Sequence, residues 1–267
     1  GALVKAIRNG QWILLDEINL ASAETLERLG SLLESKDGSL SLMEKGEIDA
    51  IERHGDFRIF ACMNPPTDVG KKELPRGLRN RFTEFYVGEM EGKEDLMLIL
   101  TELLKDVPAK KDKIPLDRIA DFYLFVRAKA KNDLADGAGQ KVAFSLRTLS
   151  RAMVYVKLIC PHYGFQRSLF EGLSMSFATQ LDEESAAVVY DAIHRCCGLT
   201  SGQKLTKPPC PGTPDDFEDV EDFWLAIGPH AEELRSAVNV ETYILTKGRR
   251  KLLRMLARVV AARKFPV

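Results

Sequence analysis

Trp12-Ile13-Leu14-Leu15-Asp16-Glu17-Ile18-Asn19 decides how this chain is read, because four apolar residues deliver two adjacent carboxylates. Strands of a parallel sheet are covered on both faces and read as unbroken apolar runs, and ligands collect just beyond their carboxyl ends. At such an edge Asp16 suits the hydration shell of a Mg2+ ion, and Glu17 can polarise a water molecule against a phosphate. The same residues also describe a buried strand capped by two solvated acids, with Asn19 opening the next helix. By themselves they leave both readings open.

Farther along, Phe57-Arg58-Ile59-Phe60-Ala61-Cys62-Met63-Asn64-Pro65-Pro66 is a second strand-like run that ends on an amide followed by two prolines. Asn64 is therefore a second polar tip on a second apolar strand, although a turn-starting Asn before Pro65 is the plain alternative. Leu74 to Phe82 reads as a short helix bearing Arg76, Arg79 and Arg81, and Phe82-Thr83-Glu84-Phe85-Tyr86-Val87 as a further strand. Paired carboxylates, an Asn tip and an arginine-bearing helix, in that order, are hard to explain by packing alone.

Together these segments resemble an AAA+ ATPase module, of the dynein-like kind that serves assembly of the large ribosomal subunit. The resemblance is carried by Gly1 to Gly10, by WILLDEINLASAETLERL from Trp12 and by FRIFACMNPPTDVGKKELPRGLRNRFTEFYV from Phe57. It continues in Phe144 to Leu149, Gln166 to Leu169 and Thr242 to Thr246, so it takes in nearly the whole chain. It implies an α/β fold: a partial αβα P-loop-type large subdomain followed by an α-helical lid. The Trp12 run is then a Walker B element, with Asp16 orienting Mg2+ and Glu17 activating water for hydrolysis of ATP. Asn64 takes the sensor-1 role and Arg147, after the N-cap residue Ser145, the sensor-2 role. Arg81 best matches the arginine finger, which acts in trans on a neighbour's nucleotide; Arg79 and Arg76 are nearby alternatives. A surface arginine paired with Glu84 or another acid is the plain reading of Arg81.

The resemblance further implies neighbouring AAA+ modules of the same polypeptide, pre-ribosomal large-subunit particles and assembly factors as partners, and a nuclear location. It assigns no direct nucleic-acid site and no membrane. A non-catalytic module that supplies only Arg81, and a MoxR-type chaperone, are the competing readings. One departure matters: G-x-x-x-x-G-K-[ST] occurs nowhere in the sequence, so the loop that cradles phosphates is missing. In the family that loop precedes Walker B, and Ala261 to Val267 look like the lead into another module. The expectation is a piece running from the middle of one module to the threshold of the next, unable to bind ATP well alone.

Composition narrows the classes. With 267 residues and 45% hydrophobic content the chain can bury a large core. Lysine and arginine number 38 against 39 acids, so no global field draws nucleic acid. The five cysteines lack metal-ligand or CxxC spacing, and reduced thiols are expected. His54, His162, His194 and His230 show no ligand spacing either. No apolar run approaches membrane-spanning length.

The expected organisation is a large-subdomain part over 1–92, a helical lid over 93–200, a linker with a short β-hairpin over 201–245, and the start of another module over 246–267. Within the first part, Asp37 to Asp56 reads as a hairpin around Lys45-Gly46. Apolar spacing of three to four predicts helices over Ala21 to Glu34, Lys93 to Lys105, Pro115 to Lys131, Ser145 to Ile159, Phe165 to Leu181 and Glu183 to Cys197. Asn132 to Gln140 reads as a flexible connection, and the acid-rich Ser201 to Asp222 as a solvated linker. Phe223 to Ile227 and Thr242 to Leu245 are short strands that could pair. The helix from Thr246 to Arg263 should turn Arg250, Lys251, Arg254 and Arg258 to solvent.

Overall fold

Alternating exposure along two short apolar runs sets the architecture of the first residues. The computed structural model describes residues 1–35, 38–40, 50–65, 72–88, 90, 92–108, 114–200, 203, 205–237 and 244–262. They fall into two compact units, Gly1–Gly88 and Glu89–Val267.

In the first unit, helix α1 (Ala2–Asn9) stops at Gly10, whose φ of 65° is the left-handed cap that glycine adopts without strain. Strand β1 (Trp12–Leu15) follows. Helix α2 (Ala23–Leu33) starts at Ser22, whose side chain accepts from the Thr25 N–H at 3.3 Å. Strands β2 (Ser39–Leu40) and β3 (Ile51–Glu52) pair antiparallel. The Lys45-Gly46 turn expected between them lies outside the described residues. Strand β4 (Arg58–Ala61) returns to pair in parallel with β1, Trp12 opposite Arg58 and Leu15 opposite Ala61.

One face of the β1–β4 pair carries Ile13, Leu15, Ile59 and Ala61, which pack with Ile7 of α1 and Leu26, Leu29 and Leu32 of α2. The other face is bare: Trp12 is 73% exposed, Leu14 61% and Phe60 49%. Covering on both faces, expected of these runs, is thus met on one side only among the described residues, as befits part of an αβα sandwich. A second correction concerns Phe82 to Val87, which forms no strand. A strand needs a ladder partner, and none of the described strands pairs with it. Phe85, Tyr86 and Val87 consequently stand exposed. The arginine-bearing helix is the short α3 (Arg76–Arg79).

The second unit is mostly helical. Helices α4 (Lys93–Leu104), α5 (Leu116–Ala130), α6 (Leu146–Tyr163), α7 (Phe165–Phe177) and α8 (Glu183–Cys197) enclose a core that includes Leu100, Ile119, Val126, Met153, Leu173 and Ile193. Helix α6 runs past its expected end and carries Pro161 in its last turn. Helices α6 and α7 approach so closely that a Cβ on Gly172 would sit 2.9 Å from the Ala152 carbonyl oxygen. The stretch expected to be a flexible connection is instead a closed turn: Asp136 Oδ1 accepts from the N–H groups of Ala138 and Gln140 at 2.9 and 2.8 Å.

The acid-rich segment exposes Asp215, Asp216, Glu218, Asp219 and Asp222 to solvent, as expected, but part of it is a paired strand. Its Phe217–Val220 is strand β5, paired antiparallel with β6 (Phe223–Ala226). Glu221 and Asp222 have φ of 51° and 70°, the positive values of a two-residue type I′ turn. The partner of β6 is therefore this strand, and Thr242-Tyr243 lies outside the described residues. After α9 (Ala231–Ala237), helix α10 (Lys247–Ala261) is capped by Thr246, whose hydroxyl accepts from the Arg249 N–H at 3.3 Å.

Helix α10 keeps Arg250 and Lys251 exposed, as expected, but departs from expectation at its two other basic residues. Arg254 and Arg258 turn inward to Glu171 of α7, which is fully buried: Arg258 Nε donates to Oε2 at 2.7 Å and Arg254 Nη2 to Oε1 at 3.2 Å. Arg167, 4% exposed, joins them, donating to the Thr206 and Asp222 carbonyls at 3.1 and 2.7 Å and lying 5.2 Å from the Tyr163 and Phe223 rings. Charge attraction and helix periodicity together force the opposite ridge, Leu252, Leu256 and Val260, toward water. Glu171→Ala leaves buried guanidinium groups without their carboxylate, and should cost about 3–5 kcal/mol. Urea denaturation checks this; an unshifted midpoint would mean that the buried arginines do not depend on the Glu171 carboxylate.

Candidate functional site

The parallel register of β1 and β4 brings their carboxyl ends level. The ladder continues one step beyond both strands: the Cys62 N–H donates to the Leu15 carbonyl at 2.9 Å, and the Ile18 N–H to the Cys62 carbonyl at 3.1 Å. Asp16 and Glu17 thus leave the sheet beside Met63 and Asn64. The geometry places the paired acids and the Asn tip on one edge. Asp16 and Asn64 are exposed and Glu17 is half-buried.

Glu17 holds φ 54° and ψ 44°, a left-handed conformation that costs a residue with a Cβ about 1–2 kcal/mol. Such strain persists only where neighbours over-determine it, and it gathers at working sites. Here the neighbours are the Ile18–Cys62 bond just mentioned and the short 3-10 turn Ile18–Leu20 that follows. Nothing in the residue types alone announces a positive φ at a glutamate.

Asn19 is the residue that the sequence reading undervalued. Instead of opening a helix it is 1% exposed, and its Nδ2 donates to the Asn64 carbonyl at 3.1 Å and to the Lys72 carbonyl at 3.2 Å. The signal that could have found it is its position, a short amide two residues after the second acid, at the mouth of a tight turn.

The three candidate finger arginines separate. Arg79 makes a two-pronged pair with Glu84, Nε to Oε2 and Nη2 to Oε1 both at 2.5 Å. The hydrogen bond to Glu84 raises the pKa of Arg79 above its ordinary value, and the carboxyl of Glu84 is correspondingly lowered. Arg81 lies across α2, with Nη2 3.4 Å from Glu34 Oε1 and Nη1 where a Cβ on Gly30 would come within 2.8 Å. Arg76 is exposed at the start of α3. Arg147 belongs to the second unit, exposed in the first turn of α6, where the Ser145 N–H donates to Thr148 Oγ1 at 3.3 Å. A cation there opposes the helix dipole, a placement that stability does not favour.

Chemically, the edge offers an exposed carboxylate suited to a hydrated Mg2+, a second carboxylate beside it, and an amide able to hold water. That donor set fits the metal side of a nucleotide site. The motif whose amides and lysine hold phosphates, G-x-x-x-x-G-K-[ST], does not occur in this sequence.

The family model of the AAA domain of the dynein-related subfamily matches residues 1–82, and that of the midasin AAA lid domain matches residues 95–199. Midasin of Dictyostelium discoideum is 42% identical over 279 residues, covering 100% of this chain and 5% of that protein. Midasin of Giardia intestinalis is 34% identical over 284 residues, covering 98% of this chain and 6% of the relative. An uncharacterized protein of Bacillus subtilis (strain 168) is 28% identical over 188 residues, covering 70% of this chain and 56% of that protein. The chain thus spans only a small fraction of the midasins that it matches.

Gly30 offers a test of how Arg81 is held. Gly30→Ala replaces a buried mid-helix glycine, which should stabilise α2 by about 0.5–1 kcal/mol, and the new methyl group should push the flexible guanidinium aside. Thermal denaturation reads the first effect and a crystal structure of the variant the second; a lowered melting temperature would show that Arg81 cannot yield.

Proposed function

We propose, on the premise that this chain belongs to the midasin family of AAA+ ATPases, that its first unit carries the hydrolytic edge of an ATPase module. Members of this ATPase family use nucleotide and magnesium. Asp16 orients the hydrated Mg2+, Glu17 takes a proton from the attacking water, and Asn64 holds that water or the γ-phosphate. Bound Mg2+ supplies charge neutralisation between the phosphates. The observation that supports this reading is the β1–β4 register, which delivers the acids and the amide to one strand edge. A purely structural pair of strands has no need of a strained Glu17.

Arg81 acts in trans on the nucleotide of the preceding module of the same polypeptide, and Arg147 is the sensor-2 arginine. Residues 1–92 are then the large-subdomain part, 93–200 the lid, 201–245 the linker with its hairpin, and 246–267 the entry to the following module. In the whole protein the cycle drives remodelling of pre-ribosomal large-subunit particles and release of assembly factors in the nucleus. These whole-protein roles rest on family likeness alone.

Glu17→Gln in the full-length polypeptide should lower ATP turnover by about 10²–10⁴-fold at this module while leaving ATP binding intact, because the metal-side carboxylate stays. Single-turnover hydrolysis beside equilibrium binding checks it, and unchanged turnover would assign the module a structural role. The chain of 267 residues, without phosphate-holding amides and lysine, should show no tight Mg2+-dependent ATP binding by calorimetry.

A further inference from the structure

We infer that Asn19 is a positioning residue that locks the Glu17 turn to the Asn64 tip; the inference rests on the hydrolytic reading of those two residues. A side-chain amide has two N–H donors and one oxygen acceptor. Both donor contacts of Asn19 go to backbone carbonyls far off in sequence, Asn64 at 3.1 Å and Lys72 at 3.2 Å. One buried group therefore fixes the distance between two loops and the direction in which each leaves the sheet.

The effect on Glu17 is direct. Glu17 sits between the last residue pair of the β1–β4 ladder and Asn19, so its left-handed backbone is anchored on both sides. The Ile18 N–H grips the Cys62 carbonyl at 3.1 Å, and one residue on Asn19 grips the Asn64 carbonyl. With its carbonyl held, the Asn64 backbone is tied to the same turn that carries the acids. Lys72 fastens the far end of the segment that follows Asn64 to the same amide.

A purely space-filling role would not choose this side chain. Asn19 Oδ1 is buried with no hydrogen-bond partner among the described residues. An unsatisfied buried acceptor is destabilising, and an aliphatic residue of similar size would avoid it. Retaining an amide makes sense if the two donated bonds set geometry.

The test uses the full-length polypeptide and two variants. Asn19→Asp keeps the shape and removes the donors; Asn19→Leu removes them without adding charge. Each should lower kcat by about tenfold or more, since small misplacements of catalytic groups act on that scale, with KM for ATP changed less than about threefold. Because Asn19 acts through Glu17 and Asn64, neither variant should lower turnover further in a background that carries both Glu17→Gln and Asn64→Ala. Hydrogen exchange over residues 12–20 should quicken while the lid helices stay protected.

Full kcat in either variant overturns the inference, as does a loss that multiplies with the combined Glu17→Gln and Asn64→Ala changes or a KM that rises in step. Those outcomes leave the hydrolytic reading standing. A Glu17→Gln enzyme with wild-type turnover removes the reading itself and the inference with it. If Asn19→Leu does not fold, Asn19→Asp alone decides.

Discussion

The parallel pairing of β1 with β4 is the constraint on which the candidate site depends. Side chains alternate between the two faces, so shifting the pairing by one residue would turn either Ile13 and Leu15 or Ile59 and Ala61 away from α1 and α2. The hydrophobic cost of that slip therefore guards the chemistry at the strand ends. Asp16, Glu17 and Asn64 are placed by the apolar residues that precede them in their own runs.

What lies just past the ladder is held by polar bonds, and these are of a different kind. The Ile18 and Cys62 backbone bonds and the two donors of Asn19 connect loops rather than strands. They support a left-handed Glu17, a conformation that apolar packing would not select. The edge is thus tied by hydrogen bonds where the acids emerge, at the place where the proposed reaction would need a water held in line.

In the second unit a buried carboxylate plays the corresponding organising part. Glu171 gathers Arg254 and Arg258 of α10, while neighbouring Arg167 ties the β5–β6 turn to α7 through the Asp222 carbonyl. Burial lowers the pKa of Arg167 and the Glu171 carboxylate opposes that shift. Because Arg254 and Arg258 are drawn toward Glu171, the ridge of Leu252, Leu256 and Val260 is left outside. Of the four basic residues expected to face solvent, Arg250 and Lys251 do, while Arg254 and Arg258 turn inward.

Local signals in the sequence were enough for much of this. The run Trp12 to Leu15 with its two acids, the Phe57 run with Asn64, the Ser22 cap and the apolar spacing of the lid helices all depend on neighbours within a few residues, and so they are visible in one dimension. Other features depend on partners far away in the chain. Phe82 to Val87 has strand-like residues but no ladder partner among those described; β6 pairs with an acidic strand because Glu221-Asp222 adopts a tight turn. Arg254 and Arg258 face inward because Glu171, remote in sequence, is waiting there. Asn19 matters because the Asn64 and Lys72 carbonyls converge on it. Periodicity tells which side of an element is apolar, but a buried charge pair or a long-range amide bond can outweigh it, and only the tertiary structure decides where those partners meet.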